Sequence, residues 1–227
     1  MSIIITDLCK TFDDNEVLKN VNISFEKGKV YGIVGENGSG KTTFFKCIAG
    51  LERYSGKVSS DFDNLKNHTG FLQTEPFYFS KITGREFIQL LCSARGKQAI
   101  ATDQRNIFDL PLDQYASTYS TGMKKKLALT AILMQTNECF VLDEPFNGVD
   151  IHSNIIITDI IRKLKELNKT IIISSHIFAT LNDTCDEIHL LKEGVFIKKV
   201  CREEFGILEQ EMKDFTIGNK IDKLMLT

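Results

Sequence analysis

The chain has 227 residues, 42% hydrophobic and 26% charged, with a formal net charge of −2. That length supports one large domain or two small ones with ample core, in a composition ordinary for a globular protein. The charge leaves no electrostatic footprint for nucleic acid, no apolar run approaches the roughly 20 residues of a membrane-spanning helix, and the six cysteines form neither a C-x-x-C pair nor a metal-ligand spacing.

Reduced thiols and a cytoplasmic location are therefore expected. Residues 1–10 lack the basic start and small-residue cleavage site of a signal peptide, and Ile3-Ile4-Ile5 reads instead as the opening of an edge strand. Residues 21–25 alternate apolar and polar (Val21, Ile23, Phe25), the pattern of a half-exposed strand. After a turn around Gly28, Val30–Val34 is continuously apolar and reads as a buried strand. This mixture predicts antiparallel strands flanking a parallel sheet. Over 76–135 the pattern turns helical, with Phe87, Leu90, Leu91 and Ala94 on one face and Leu127, Ala131 and Met134 on another. Two further continuous strands follow at 139–142 and Thr170–Ser174, joined by a helix whose predicted stripe is Ile156, Ile160, Leu164 and Leu167. Strand–helix–strand with both strands apolar marks a covered parallel sheet. Residues 187–200 read as a hairpin turning at Lys192-Glu193-Gly194, and the sequence beyond Gly206 as a tail packed on the core. The expected fold is α/β with a mixed sheet: a core over 1–75 and 131–205 that carries an antiparallel β subdomain, an inserted helical subdomain over 76–130, and a tail over 206–227.

Gly35-Glu36-Asn37-Gly38-Ser39-Gly40-Lys41-Thr42 completes the pattern G-x-x-x-x-G-K-[ST] between a predicted strand and the helical start at 43–49. A loop in that position aims backbone N–H groups and the positive end of the helix dipole at phosphate. Its glycines let the backbone approach closely. Lys41 would reach the β- and γ-phosphates, and the Thr42 hydroxyl would hold Mg²⁺. The pattern predicts binding of a nucleoside triphosphate.

Asp143 and Glu144 end the second apolar strand, where open α/β sheets place their chemistry. Asp143 would order the Mg²⁺ shell and Glu144 would polarise the attacking water. His176 follows the adjacent strand and falls beside the γ-phosphate, and Gln73 ends another short strand, from which its amide would serve metal or water. Ser120, in Tyr119-Ser120-Thr121-Gly122-Met123, fits an N-cap for the helix that follows. Lys124-Lys125-Lys126 reads as a solvated helix face rather than a nucleic-acid contact.

The order GENGSGKTT, Gln73, YSTGM, FVLDEP, NGVD, His176 resembles the ATP-binding-cassette (ABC) ATPase domain, a P-loop NTPase, over residues 2–205. The resemblance implies that Phe12 stacks on adenine with Val17 beside it, against the alternative of a core Phe on an edge strand. It extends the phosphate contacts from Gly35, Glu36, Asn37, Gly38, Ser39, Gly40, Lys41 and Thr42 to Thr43. It makes Gln73 a Mg²⁺-sensing residue near the membrane partner, Asn147-Gly148-Val149-Asp150 a loop that crosses a dimer interface, and His176 a γ-phosphate switch. The segment YSTGM matches the signature usually written LSGGQ, which binds the γ-phosphate held by the opposite subunit. Ser120 and Gly122 are kept, whereas Tyr119, Thr121 and Met123 depart from it. The signature type is similar to that of small ABC-2-type exporters of drugs, peptides or bacteriocins. The implied assembly is a dimer, expected to pair identical chains, on the inner face of the membrane through a separate permease, using ATP and Mg²⁺ and no nucleic acid. Phe77, Tyr78 and Phe79 then belong either to the permease-docking surface or to the interior of the helical subdomain. A soluble switch on ribosomes or DNA is the alternative from another class, and a weakly hydrolysing regulatory subunit is a third.

Overall fold

Ile3 and Ile5 are buried while Ile4 lies 47% exposed between them. The isoleucine run is thus an alternating strand whose solvent position happens to be apolar. It belongs to β1 (Ser2–Phe12), which pairs antiparallel with β2 (Asn15–Glu26) on one side and with β4 (Ser55–Ser59) on the other. The expectation of an edge strand is corrected: β1 is central in a three-stranded sheet of order β2-β1-β4. Its outer partner Ser-Gly-Lys-Val-Ser is too polar to read as a strand in isolation. The computed structural model describes residues 2–175 and 177–217, with side chains to Glu211.

The second sheet has the order β5-β6-β7-β3-β8-β9, built from β3 (Val30–Val34), β5 (Thr69–Leu72), β6 (Cys139–Asp143), β7 (Thr170–Ser174), β8 (Glu187–Lys192) and β9 (Val195–Cys201). All neighbours are parallel except the β8–β9 hairpin. Every residue of β3, β6 and β7 is buried. Tyr31, Ile33, Val141 and Ile172 face a core shared with α1 (Lys41–Ile48) and the antiparallel sheet. Phe140, Leu142, Ile171 and Ile173 face the other core, with α3 (Thr121–Met134), α4 (Ile151–Glu166) and α5 (Phe178–Thr184). Continuous apolar strands follow because both faces of the sheet are covered.

Between β5 and β6 the described helices are α2 (Gly84–Ser93), α3 and a short 3₁₀ turn at Ala116–Thr118, and most of the segment joining α2 to α3 is turns. The predicted face of α2 is rotated by about one residue: Phe87, Ile88 and Cys92 are buried, whereas Leu90 and Ala94 are exposed. Likewise α4 buries Ile157, Ile161 and Leu164, while Ile156 and Ile160 flank that stripe and Leu167 is exposed. Both helices carry apolar residues at adjacent positions, so periodicity fixes the helix but not which neighbour turns inward. The start of α6 (Phe205–Ile217) is anchored by buried Phe205 and Leu208. Residues 218–227 of the expected tail lie outside the described residues.

Candidate nucleotide site

The turn from β3 into α1 has Gly40 at the helix N-cap, at φ 106°, with no side chain capping the first turn. Leading amides of an uncapped helix end are donors seeking an acceptor. Gly35 sits against β8, so that a Cβ there would come 2.2 Å from the Leu191 carbonyl oxygen. The Lys41 Nζ donates to the Gly35 and Glu36 carbonyls at 2.7 and 2.9 Å. Burial pulls the Lys41 pKa down, and the carboxylates of Glu144 and Asp143 oppose that pull. The Ser39 hydroxyl is buried with no hydrogen-bond partner among the described residues.

A cleft of about 460 Å³ lies over this loop. Phe12 and Val17 line it, together with Asp143, Glu144 and residues of the loop including Asn37, Gly38, Lys41, Thr42 and Thr43. Phe12 is 42% exposed, so it is no core residue, and the Lys10 ammonium sits 4.1 Å from its ring centroid.

Asp143 is the hub of the acidic end. Its Oδ2 accepts from the Thr42 hydroxyl at 2.7 Å and from the Thr74 hydroxyl at 2.8 Å. Its Oδ1 accepts from the Ser174 hydroxyl at 2.6 Å. Asp143 and Ser174 are register partners at the ends of β6 and β7. The Ser174 oxygen also accepts the Glu144 N–H at 3.0 Å. Glu144 is buried and has φ 52°, a left-handed conformation uncommon outside glycine.

Thr74 lines the cleft, whereas Gln73 one residue earlier is half-buried and does not. Thr74 and Ser174 were missed because neither belongs to a motif. Their signal is position alone, a hydroxyl residue at or just past the C-terminal end of a strand in the sheet. His176 lies outside the described residues.

Ser120 and Gly122 lie outside the cleft. Ser120 caps α3, its hydroxyl accepting the Met123 N–H at 3.2 Å. A Cβ on Gly122 would come 2.7 Å from the Gly148 carbonyl oxygen, so this glycine is required by packing within the chain as well. Tyr119 is buried and donates its hydroxyl to the Pro111 carbonyl at 2.6 Å.

The lysine run is not a solvated face. Lys125 is 2% exposed, and Lys126, its side chain 15% exposed, bonds Asp150 and Ser153 at 3.2 Å each. Successive helical residues diverge by about 100°, and α3 is buried on nearly all sides from Leu127 to Ile132. That apolar stretch was the available signal that no solvated face exists. The aromatic trio divides: Phe77 and Phe79 are 71% and 57% exposed, while Tyr78 packs on Phe87 and donates its hydroxyl to the Lys124 carbonyl.

The ABC transporter family model matches residues 18–147. The bacitracin transport ATP-binding protein BcrA of Enterococcus faecalis is 28% identical over 226 residues, covering 94% of this chain and 73% of that protein. The ABC transporter ATP-binding protein NatA of Bacillus subtilis is 31% identical over 215 residues, covering 86% and 87%. The solved structure of an ATP-binding subunit of an ABC transporter superposes with TM-score 0.81 at 23% identity, covering 95% of this chain and all of that one. A dimeric ATP-binding cassette in a post-hydrolysis state bound to ADP and Pi superposes with TM-score 0.77 at 20% identity, covering 89% and 99%. Resemblance and comparison agree: the chain belongs to the ABC transporter family as one of its ATP-binding, ATP-hydrolysing cassettes.

Proposed function

We propose that this chain is the ATPase subunit of an ABC-2-type exporter of a drug, peptide or bacteriocin-like substrate, working as a homodimer beneath a separate permease. The observation that carries the ATPase chemistry is the hydroxyl–carboxylate cluster of Thr42, Thr74, Asp143 and Ser174 beside Glu144 at the end of a cleft floored by the phosphate loop. Similarity to bacitracin transport proteins along nearly the whole chain supports the exporter reading. Among the described residues no helix is long and apolar enough to cross a membrane, which fits a subunit that drives a separate membrane protein from the cytoplasmic side.

In this reading adenine stacks on the exposed Phe12 ring beside Val17. The triphosphate lies along the amides from Gly35 to Thr43, with Lys41 on the β- and γ-phosphates. The donors Thr42 Oγ1 and Asp143 Oδ2 are hard oxygens suited to Mg²⁺, which would supply charge neutralisation of the phosphates, with Gln73 reaching the same shell on closure. Ser120 and Gly122 face the γ-phosphate held by the partner subunit, so each site is complete only in the closed dimer. Glu144 takes the proton of the attacking water as the water oxygen bonds to the γ-phosphorus and the bond to the ADP oxygen breaks. Exposed Phe77 and Phe79 belong to the permease-docking surface.

The test is capture of tagged Glu144→Gln protein from its native cells in ATP and mild detergent, followed by reconstitution with what is recovered. A multi-spanning membrane protein in near-stoichiometric amount that stimulates the wild-type ATPase supports the exporter reading. Recovery of ribosomal or DNA-bound complexes without a membrane protein overturns it.

A further inference from the structure

A lysine buried to 2% exposure needs polar partners, because an unpaired ammonium in the interior is costly. Lys125 finds its partners in one tight turn: its Nζ donates to the Glu144 carbonyl at 2.7 Å and to the Asn147 carbonyl at 2.8 Å. The Asn147 N–H closes the same turn onto the Glu144 carbonyl at 3.2 Å. At the other end of the residue, the Glu144 N–H is held by the Ser174 hydroxyl. The peptide groups on both sides of Glu144 are therefore fixed, with the residue at φ 52° between them. A backbone held at both ends in an uncommon conformation fixes the direction of the Cα–Cβ bond, and with it the reach of the carboxylate.

Neighbours of Lys125 extend the same anchorage. The Lys124 carbonyl accepts from Tyr78, just past Gln73, and Lys126 bonds Asp150 and Ser153 at the start of α4. The first turns of α3 thus touch the segment after β5, the turn after β6 and the start of α4, and the innermost contact is made by a buried charge. Burial lowers the Lys125 pKa, while the carboxylates of Glu144, Asp143 and Glu75 oppose the shift.

We propose that Lys125 is a positioning residue for hydrolysis: by clamping the Glu144 and Asn147 carbonyls it holds the Glu144 carboxylate in its attacking-water geometry and ties that geometry to the signature helix. The proposal rests on the reading of Glu144 as the residue that activates water. Placement errors near 1 Å can cost about 10²-fold in rate, so the clamp has a measurable kinetic consequence.

The full-length chain is compared as wild type, Lys125→Met, Lys125→Arg, Glu144→Gln and the Lys125→Met/Glu144→Gln double variant, reading kcat, KM, affinity for trinitrophenyl-ATP and Tm. Lys125→Met is expected to lower kcat by about 10–100-fold with KM and probe affinity within about threefold of wild type. Lys125→Arg keeps charge and donors but carries a larger planar head group, so its kcat is expected between those of Lys125→Met and wild type. The double variant is no slower than Glu144→Gln alone, because the clamp acts through Glu144. A kcat for Lys125→Met within twofold of wild type, or losses that multiply in the double variant, overturns the proposal. If Lys125→Met does not fold, Lys125→Ala, which leaves room for water at the two carbonyls, takes its place under the same expectations. Failure of both to fold while Lys125→Arg folds makes Lys125 a residue of the fold alone and also overturns it. Undiminished turnover by Glu144→Gln identifies the separate failure of the underlying reading.

Discussion

The phosphate loop and the acidic turn after β6 face each other across one cleft but are built by opposite means. The loop is largely local: Gly35, Gly38 and Gly40 give the chain its path, and its contacts run among consecutive residues, to Leu191 and Gly194 of the β8–β9 hairpin, and to Val17 and Leu18 of β2. The stretch from Asp143 to Asp150 is convergent: Asp143 is held by Thr42 from α1, Thr74 beyond β5 and Ser174 from β7, and the turn after it by Ser174 again and by Lys125 and Lys126 from α3. A local device is damaged by adding a methyl group to it; a convergent one is damaged by removing a distant partner. The two therefore predict different lesions.

The largest effect is expected at the chemistry both regions serve. Glu144→Gln keeps the loop intact, so ATP binding persists while steady-state turnover falls by about 10²–10⁴-fold, measured by phosphate release. Next comes the loop itself. Gly35→Ala places a Cβ 2.2 Å from the Leu191 carbonyl oxygen, so overpacking costs about 1–3 kcal/mol of stability and the shifted loop binds ATP more weakly, read by Tm and by titration with a fluorescent ATP analogue.

Ser174→Ala sharpens the contrast from the other side. It strips one partner from Asp143 and one from the Glu144 N–H without touching the loop. Leaving such groups unsatisfied costs about 1–3 kcal/mol, so turnover drops by about an order of magnitude and Tm by several degrees, while affinity for ATP moves least.

The smallest effect concerns pH. The Ser153 backbone N–H and hydroxyl, then Lys126, hold the Asp150 carboxyl well below the usual carboxylate range. A depressed folded-state pKa gives stability that is present above the unfolded value of about 3.9 and is lost as pH falls through the folded one. Asp150→Asn, which retains a capping oxygen, is therefore expected to flatten the acid limb of a Tm-against-pH curve by lowering Tm slightly at neutral pH, toward the value the two proteins share in acid.

The same division decides what could be read from the sequence. The phosphate loop was legible because eight consecutive residues specify it, and β3, β6 and β7 because both faces of each strand are buried. Ile88 and Ile157 show where periodicity stops: adjacent apolar residues leave the inward direction to tertiary packing, so the stripes of α2 and α4 came out one residue away. The central place of β1 depended on β4, whose polar residues carry no strand signal alone. Thr74, Ser174 and Lys125 act on residues 69, 31 and 19 positions away in sequence, and no local pattern encodes such a partner. In Lys125 the charge pointed outward while its neighbours Leu127, Ala128 and Leu129 pointed to a helix without a solvated face.

In the proposed assembly two copies complete each other's sites across ATP. Light scattering on size-exclusion-purified Glu144→Gln protein, with ATP and Mg²⁺, with ADP and without nucleotide, tests it most directly. A mass twice the 25.7 kDa of one chain is expected in ATP alone, reverting to a single chain in ADP. A single-chain mass in saturating ATP, from a preparation whose wild-type counterpart hydrolyses ATP at the same concentration, would contradict it.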